Sequence, residues 1–367
     1  MEIAEKWPNA GRLVWLFGGV VAYNNPGTDV EICAGSGGPV VRRCEINSYG
    51  SLFEVLKKQG FSIIGTTFVL HQDELSGLRP AEFRMAGLRN AWPLSDLRQE
   101  WREIAFAASK LDQMPLMDLS SRLSSGLEYS QLRLCDSVSA YAAQLRSRCA
   151  KDKPVEYQRF KDLLSREVYK SIHALFWELA VLRDTLAEFA AMFCFSKPGV
   201  RTLRGLISYL RTATSADPLS AELLSITDEK QGGWLARFAS YRNFFTHVAP
   251  MEWAAGIAFS VQDLRRLNDQ STVPQIYYPL PGNIDELTRE RSNGNFYATM
   301  ERLLEVSNRR ADRATDPDAL EYLHLSLNQF AELAKTLIAR SPLAPAGIHL
   351  GPEDIIGEIQ WTPGTSD

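Results

Sequence analysis

The sequence has little of several features that would assign it to a class at once. Its 367 residues carry no positive excess, because the formal net charge is -4, and this argues against a basic surface that coats nucleic acid. Its apolar runs, such as residues 13–23, are much shorter than the roughly 20 residues of a membrane-spanning helix. The N-terminus is polar and mixed in charge, unlike a signal peptide. We therefore expect a protein without membrane segments.

Cysteine and histidine are too few and too scattered to indicate a metal centre. The five cysteines form no CxxC pair, and their spacing to the five histidines does not follow the pattern of a zinc site. An odd number of thiols is typical of a reducing compartment. The sequence thus predicts a cytoplasmic protein that uses no metal and no cofactor.

The N-terminal part, residues 1–150, is predicted to be a small α/β region. Residues 1–78 contain the strand candidates, short apolar runs at 13–17 and 20–23 and a β-branched run at 61–70. The glycine-rich residues 34–39 lack the Gly-Lys-Ser/Thr ending of a phosphate-binding loop and are interpreted as a turn between strands. Residues 80–150 are predicted to be helical, with helices at 80–90, 95–111 and 120–150.

The rest of the chain is predicted to be mainly helical, which makes the whole protein mainly α. A polar break at residues 151–154 is the preferred domain boundary. Apolar residues from Leu164 to Phe193 step by three and four and predict a helix of about 40 residues that ends near Lys197. We expect a helical bundle over residues 155–341, a short β-containing insertion at 251–294, and a tail at 342–367. Asp316-Pro317 is predicted to cap the last helix, whose apolar stripe runs from Leu320 to Leu337 in steps of three and four residues.

One segment of this bundle combines an apolar stripe with polar chemistry. Its helix is opened by two glycines and closed by Pro250. The stripe has steps of 4, 3 and 4 residues and consists of Trp234, Phe238, Tyr241 and Phe245. Arg242, Asn243 and His247 project from the same helix. In a regular α-helix Arg242 and His247 would lie roughly 140° apart, yet a long arginine can swing towards the last turn.

This arginine and histidine suit the cleavage of RNA. A guanidinium binds phosphate oxygens and stabilises negative charge that develops at phosphorus, while an imidazole transfers a proton. The 2′-hydroxyl of RNA can be the nucleophile, so the reaction needs no metal. The structural alternative is an arginine whose charge merely reaches solvent, next to a histidine that interacts with the helix dipole.

At these residues the chain resembles a known family. Arg242-Asn243-Phe244-Phe245-Thr246-His247 is similar to the R-x4-6-H signature of HEPN domains, in which a polar residue, often Asn, follows the Arg. HEPN domains are all-α bundles, and many are metal-independent endoribonucleases of toxin–antitoxin, CRISPR and phage-defence systems. The resemblance implies catalytic roles for Arg242, Asn243 and His247. It also implies a homodimer in which two motifs meet in one composite cleft.

Further partners follow from this hypothesis. The substrate would be RNA, and Arg201, Arg204 and Arg211 of a basic amphipathic helix would line a phosphate track, unless they are simply a solvated face. The N-terminal part would recognise a trigger such as a phage component, the substrate, or a regulatory protein. The alternative function is a non-catalytic HEPN-like scaffold that binds a nucleotide, RNA or a protein.

Overall fold

The N-terminal residues form an antiparallel sheet of six strands. The computed structural model describes residues 7, 10–70, 82–87, 93–151, 153–213, 217–248, 259–293 and 299–348. The strand order in the sheet is β4-β3-β2-β1-β5-β6. The strands are β1 (Ala10–Leu16), β2 (Val21–Asn24), β3 (Asp29–Cys33), β4 (Val40–Glu45), β5 (Ile63–Leu70) and β6 (Glu82–Met85), with helix α1 (Leu52–Lys58) before β5.

These strands confirm the expectation of a β-containing start, with one correction. The predicted turn at 34–39 joins β3 to β4. The prediction of a helix at residues 80–90 is wrong for the part that the structure describes, residues 82–87. Residues 82–85 of that part form strand β6. Here β6 pairs with β5, Phe83 opposite Thr67 and Met85 opposite Gly65. The absence of a side chain at Gly65 leaves room for the Phe83 ring, since an added Cβ would lie 2.5 Å from it. Pairing with β5 thus outweighs the local helical pattern.

Nine further helices follow among the described residues. They are α2 (Pro93–Lys110), α3 (Met114–Lys151), α4 (Leu163–Phe189), α5 (Leu203–Thr212), α6 (Pro218–Ile226), α7 (Trp234–Asn243), α8 (Ile284–Ser292), α9 (Met300–Asn308) and α10 (Ala319–Ile338). The prediction of a mainly helical protein with a β-containing N-terminal part is confirmed. Two antiparallel sheets, of six and three strands, accompany the helices.

The longest predicted helix is shorter than expected. It begins at Leu163, because Asp162 caps it by accepting a hydrogen bond from the Ser165 amide at 2.9 Å. Residues 158–160 before the cap are strand β7 (Gln158–Phe160) and not helix. At the other end α4 passes into a π-turn at Ala190–Cys194. The apolar seam from Val168 to Phe189 is buried as predicted.

Helices α3 and α4 are antiparallel neighbours. Arg122 forms an ion pair with Glu188 at 3.0 Å, and Gly126 lets the helices approach, since an added Cβ would lie 3.3 Å from Leu182. Buried side chains of the sheet, of α3 and α4, and of α10 belong to one apolar core. The core therefore continues across residues 151–154, and the domain division proposed there stays a prediction.

A second sheet joins the two halves of the chain. Its strands are β7, β8 (Ser260–Arg266) and β9 (Thr272–Tyr277), in that order. Two of them lie in the predicted β-containing insertion, whose residues 251–258 are outside the described part. The β8–β9 turn contacts the first sheet through an Arg42–Asp269 ion pair of 2.7 Å.

The last helix is capped by a different aspartate from the one predicted. The N-cap is Asp318, whose carboxylate accepts a hydrogen bond from the Glu321 amide at 3.2 Å. The carboxylate of Asp316 instead accepts hydrogen bonds from the Gly282 amide at 2.9 Å and from the guanidinium of Arg309. The apolar stripe of α10 is buried as predicted. Of the predicted tail, residues 349–367 lie outside the described part. No helix among the described residues has the length and apolarity to cross a membrane.

Candidate functional site

The motif helix α7 begins where the glycines predicted it. Gly232 has a left-handed φ of 71°, which ends the preceding turn, and Gly233 is the N-cap of α7. Gly233 also lies against the end of α6, because a Cβ there would be 2.4 Å from the Ile226 carbonyl oxygen. The structure describes the helix as far as Val248, and the predicted stop at Pro250 lies outside the described residues.

The predicted apolar stripe packs against α4 and α10. Phe238 and Phe245 are buried and contact Phe176 of α4, with ring centroids 5.7 and 5.8 Å apart. Trp234 is only partly buried, against Phe330 of α10 at 5.0 Å. Aromatic packing on two sides therefore fixes the direction in which the polar residues of α7 project.

The motif spans a change of helix type. Residues Phe244–Val248 form a π-turn directly after the last α-helical residue, Asn243. Hydrogen bonds in a π-turn join residues five apart, whereas those in an α-helix join residues four apart. The wider turn reduces the angle between Arg242 and His247 below the value of a regular α-helix. It also lets two neighbouring residues, Phe244 and Phe245, both be buried.

Arg242 lies half-buried over an exposed tryptophan. Its guanidinium carbon is 5.3 Å from the ring centroid of Trp177 on α4, a cation–π distance. One terminal nitrogen, Nη1, donates to Oδ1 of Asn243 at 3.0 Å. Nε is buried and has no hydrogen-bond partner. Within the described part of the chain Arg242 forms no salt bridge, so its charge is not neutralised by a carboxylate.

A cavity of about 430 Å³ opens beside Arg242 between α4 and the π-turn. Its wall on α4 includes His173 and Trp177, one turn apart, and its wall on the motif helix includes Arg242, Phe245 and Thr246. Burial lowers the pKa of His173, which favours a neutral imidazole. The ring of His173 packs edge-on against Phe245 at 5.9 Å. The cavity thus offers aromatic faces, one guanidinium and one imidazole.

The other two motif residues are exposed at the helix end. Asn243 is exposed and holds the Arg242 guanidinium. His247 is exposed on the π-turn and does not line the cavity beside Arg242. The structure therefore brings Arg242 and Asn243 into contact, and it leaves His247 on the same terminal turn with its imidazole open to solvent.

The three arginines of the predicted phosphate track are all exposed. Arg201 precedes α5, and Arg204 and Arg211 lie on it, seven residues apart and so on one face. The amide of Leu203 at the start of α5 donates to Asp184 of α4 at 3.1 Å. Asp184 follows Trp177 by seven residues, which places the start of α5 two helical turns, roughly 10 Å, along α4 from Trp177.

Sequence reasoning did not single out Trp177 or His173 as site candidates. Both residues could have been found from their position, because they flank the apolar seam of α4 on neighbouring helical turns. Packing of the seam does not require a large aromatic residue at that position. A side chain as apolar as Trp177 that remains 55% exposed is unusual on such a flank.

The described residues hold no group of three or more His, Cys, Asp or Glu side chains that could bind a metal ion. Comparisons of the chain with protein-family models, curated proteins and solved structures found no match.

Proposed function

We propose that this protein is a metal-independent endoribonuclease of HEPN type. The observation that carries the proposal is the end of the motif helix, where Arg242 lies over the exposed Trp177 and the exposed His247 follows five residues later. A π-turn at this position supports it, because such turns are frequent at functional sites. The odd number of free cysteines fits a cytoplasmic location.

The residues divide the reaction between them. The 2′-hydroxyl oxygen attacks the adjacent phosphorus, the bond from phosphorus to the 5′-oxygen breaks, and a 2′,3′-cyclic phosphate remains. Arg242 binds the nonbridging oxygens and stabilises the charge that develops on them. Asn243 orients the guanidinium through its 3.0 Å hydrogen bond. His247 is the general acid/base that moves the proton between the hydroxyl, the leaving oxygen and solvent.

RNA reaches this turn along α4. The exposed face of Trp177 supports one base by stacking, a contact that tolerates any base. Arg201, Arg204 and Arg211 extend the positive surface from the start of α5 and bind flanking phosphates. A second protomer would complete the cleft, since each chain supplies one arginine to the cavity and holds its histidine outside it. In a phage-defence or toxin system, the N-terminal sheet would then recognise a trigger or a regulatory protein.

Cleavage of labelled single-stranded RNA in excess EDTA tests the enzyme. We expect cutting by the wild type, a loss of at least about 100-fold in Arg242→Ala and His247→Ala, and no cutting of DNA of the same sequence, which lacks the nucleophile. The matched control is Arg43→Ala, which removes an exposed arginine of edge strand β4 whose only ion pair among the described residues is with Glu31 at 2.7 Å. Equal activity of all four proteins, or cutting of the DNA, refutes the mechanism.

One observation favours a second function, a scaffold that binds RNA without cutting it. His247 does not line the cavity beside Arg242, and a binding site needs only the arginine and the tryptophan. In that case the wild type binds RNA and leaves it intact, and His247→Ala binds equally well. The same panel of proteins, assayed for binding as well as cutting, separates the two functions.

A further inference from the structure

A second cavity, of about 380 Å³, lies among three segments that are far apart in the sequence. Phe17, Gly18 and Ser62 contribute from the first sheet, the β8–β9 hairpin from the second, and the residues around the start of α10 from the bundle. Its lining is mainly polar. It shares no residue with the cavity beside Arg242, so the proposed ribonuclease site does not account for it.

Three arginines line this cavity without carboxylate partners. They are Arg265 and Arg266 of β8 and Arg313 of the segment before α10. Many other described arginines are paired, but none of these three forms a salt bridge within the described chain. Guanidinium groups that line a polar cavity and form no salt bridge there can still bind an anionic ligand.

Arg265 is held in an electrostatically unfavourable position. One of its terminal nitrogens donates to the carbonyl oxygen of Gly60 at 2.6 Å, which fixes the side chain. Burial lowers the pKa of Arg265, the charge of Arg313 lowers it further, and the charge of Glu321 offsets part of this. The two guanidinium groups therefore repel each other across the cavity. A ligand with two negative charges between the guanidinium groups would offset both the burial of the Arg265 charge and its repulsion by Arg313.

The acidic residues of the cavity form no salt bridge with these arginines among the described residues, because their carboxylates have other partners or lie at the rim. The Asp263 carboxylate accepts hydrogen bonds from the amides of Tyr157 and Leu264 at 3.1 and 2.9 Å. The Asp318 carboxylate is surrounded by the Tyr278 amide, the Tyr141 hydroxyl and the Glu321 amide. Glu321 is exposed at the rim. The carboxylates thus organise the backbone around the cavity, and the guanidinium groups keep free donors.

We propose that this cavity binds a small molecule that carries a phosphate monoester, such as a phosphorylated sugar or a nucleoside monophosphate. Arg265 and Arg313 bind the phosphate oxygens, and the organic part lies along the β9 wall of the cavity, where the ring of Tyr277 has Arg313 at 4.5 Å. The cavity volume is in the range of small-molecule sites. Because all three segments contribute to the wall, the bound ester would link the first sheet to the start of α10.

Isothermal titration calorimetry on the full chain tests the site with ribose 5-phosphate, AMP, inorganic phosphate and adenosine. We expect both esters to bind at one site per chain with a dissociation constant of about 1 mM or below, and adenosine not to bind. Arg313→Gln should weaken ester binding at least about tenfold. Arg313 is exposed, so its substitution should leave the melting temperature nearly unchanged.

Arg310→Gln is the matched control. Arg310 is three residues away and also lies over a tyrosine, Tyr157 at 4.3 Å, but it does not line the cavity. We expect it to leave the dissociation constant within about twofold, as should Arg242→Gln at the ribonuclease site. No binding of either ester, binding of inorganic phosphate alone, or equal effects of Arg310→Gln and Arg313→Gln would each overturn the proposal. Ester binding lost in Arg242→Gln and kept in Arg313→Gln would also overturn it.

Discussion

Two buried titratable groups, the N-cap Asp318 of α10 and His324 within the helix, should have opposite effects on how stability depends on pH. Burial raises the pKa of Asp318 to about 6, although three hydrogen bonds and Arg313 favour its carboxylate form. Burial lowers the pKa of His324 to about 4, although its Nε2 lies 2.9 Å from the Ala86 carbonyl oxygen. In the unfolded chain these groups titrate at about 3.9 and 6.5.

The proton balance between pH 4 and 6 follows from these values. The unfolded state there binds a proton at His324 and none at Asp318, whereas the folded state binds one at Asp318 and none at His324. Asp318 thus favours folding most at low pH, and this contribution is lost as pH rises towards 6. His324 favours folding most at high pH, and this contribution is lost as pH falls towards 4. The pair as a whole contributes almost no slope in this window.

Single substitutions should expose the two opposing slopes. Relative to the wild type, the free energy of unfolding of His324→Phe should fall by about 1 kcal/mol for each pH unit from 4 to 6. That of Asp318→Asn should rise by a similar amount over the same range. Both variants lose hydrogen bonds and start from lower stability, so the slope and not the absolute value carries the test.

Urea unfolding followed by tryptophan fluorescence at half-unit steps of pH, at constant ionic strength, measures these slopes. The free energy of unfolding of the double variant His324→Phe/Asp318→Asn should again depend on pH in parallel with that of the wild type, because both titratable groups have been removed. Parallel lines for the wild type and both single variants would refute the reasoning, since they would mean that neither group changes its pKa on folding.

Three further predictions concern the motif helix and its surroundings. Gly233→Ala should destabilise the protein by about 1–3 kcal/mol, because the added Cβ would lie 2.4 Å from the Ile226 carbonyl oxygen. Gly50→Ala, whose added Cβ would have no atom within 4 Å, should leave the free energy of unfolding nearly unchanged in the same denaturation assay. In the His247→Ala background, which does not cut RNA, Trp177→Ala should weaken RNA binding by about 1–3 kcal/mol in a filter-binding assay, and Trp177→Phe should retain most of the affinity. If Trp177→Ala binds RNA as tightly as the background protein, bases do not stack on Trp177. Light scattering should give the mass of a dimer, and a monomer at assay concentration would remove the composite cleft from the proposal.

Periodicity predicted the helices well because the core stripes are local. The predicted seam is buried from Val168 to Phe189, and only its end residues Leu164 and Phe193 are half-buried; the stripe of α10 is buried throughout. The strand at residues 82–85 was missed because its stability comes from pairing with β5, a partner that no local pattern identifies. The capping aspartate was misplaced for a related reason. The start of α10 is set by a hydrogen bond from the Ala319 amide to the Tyr278 carbonyl oxygen, 41 residues earlier.

The site itself shows the same division between local and distant information. The spacing of Arg242 and His247 is in the sequence, but the π-turn that changes their angle depends on how Phe244 and Phe245 are packed. Trp177 becomes a neighbour of Arg242 only through the contact of α4 with α7.

The two sites differ in what a sequence can reveal about them. The motif on α7 lies within six residues, and a regular helix already brings it to one end of one element. The second cavity needs Arg265 and Arg313 from different segments, and neither arginine has a distinctive neighbour in the sequence. What distinguishes them is a proximity that only the fold creates, because folding brings two like charges together and the charge of Glu321 offsets their repulsion only in part. Such a cost can be retained when a ligand offsets it, so the placement of Arg265 beside Arg313 supports the proposed phosphate ester.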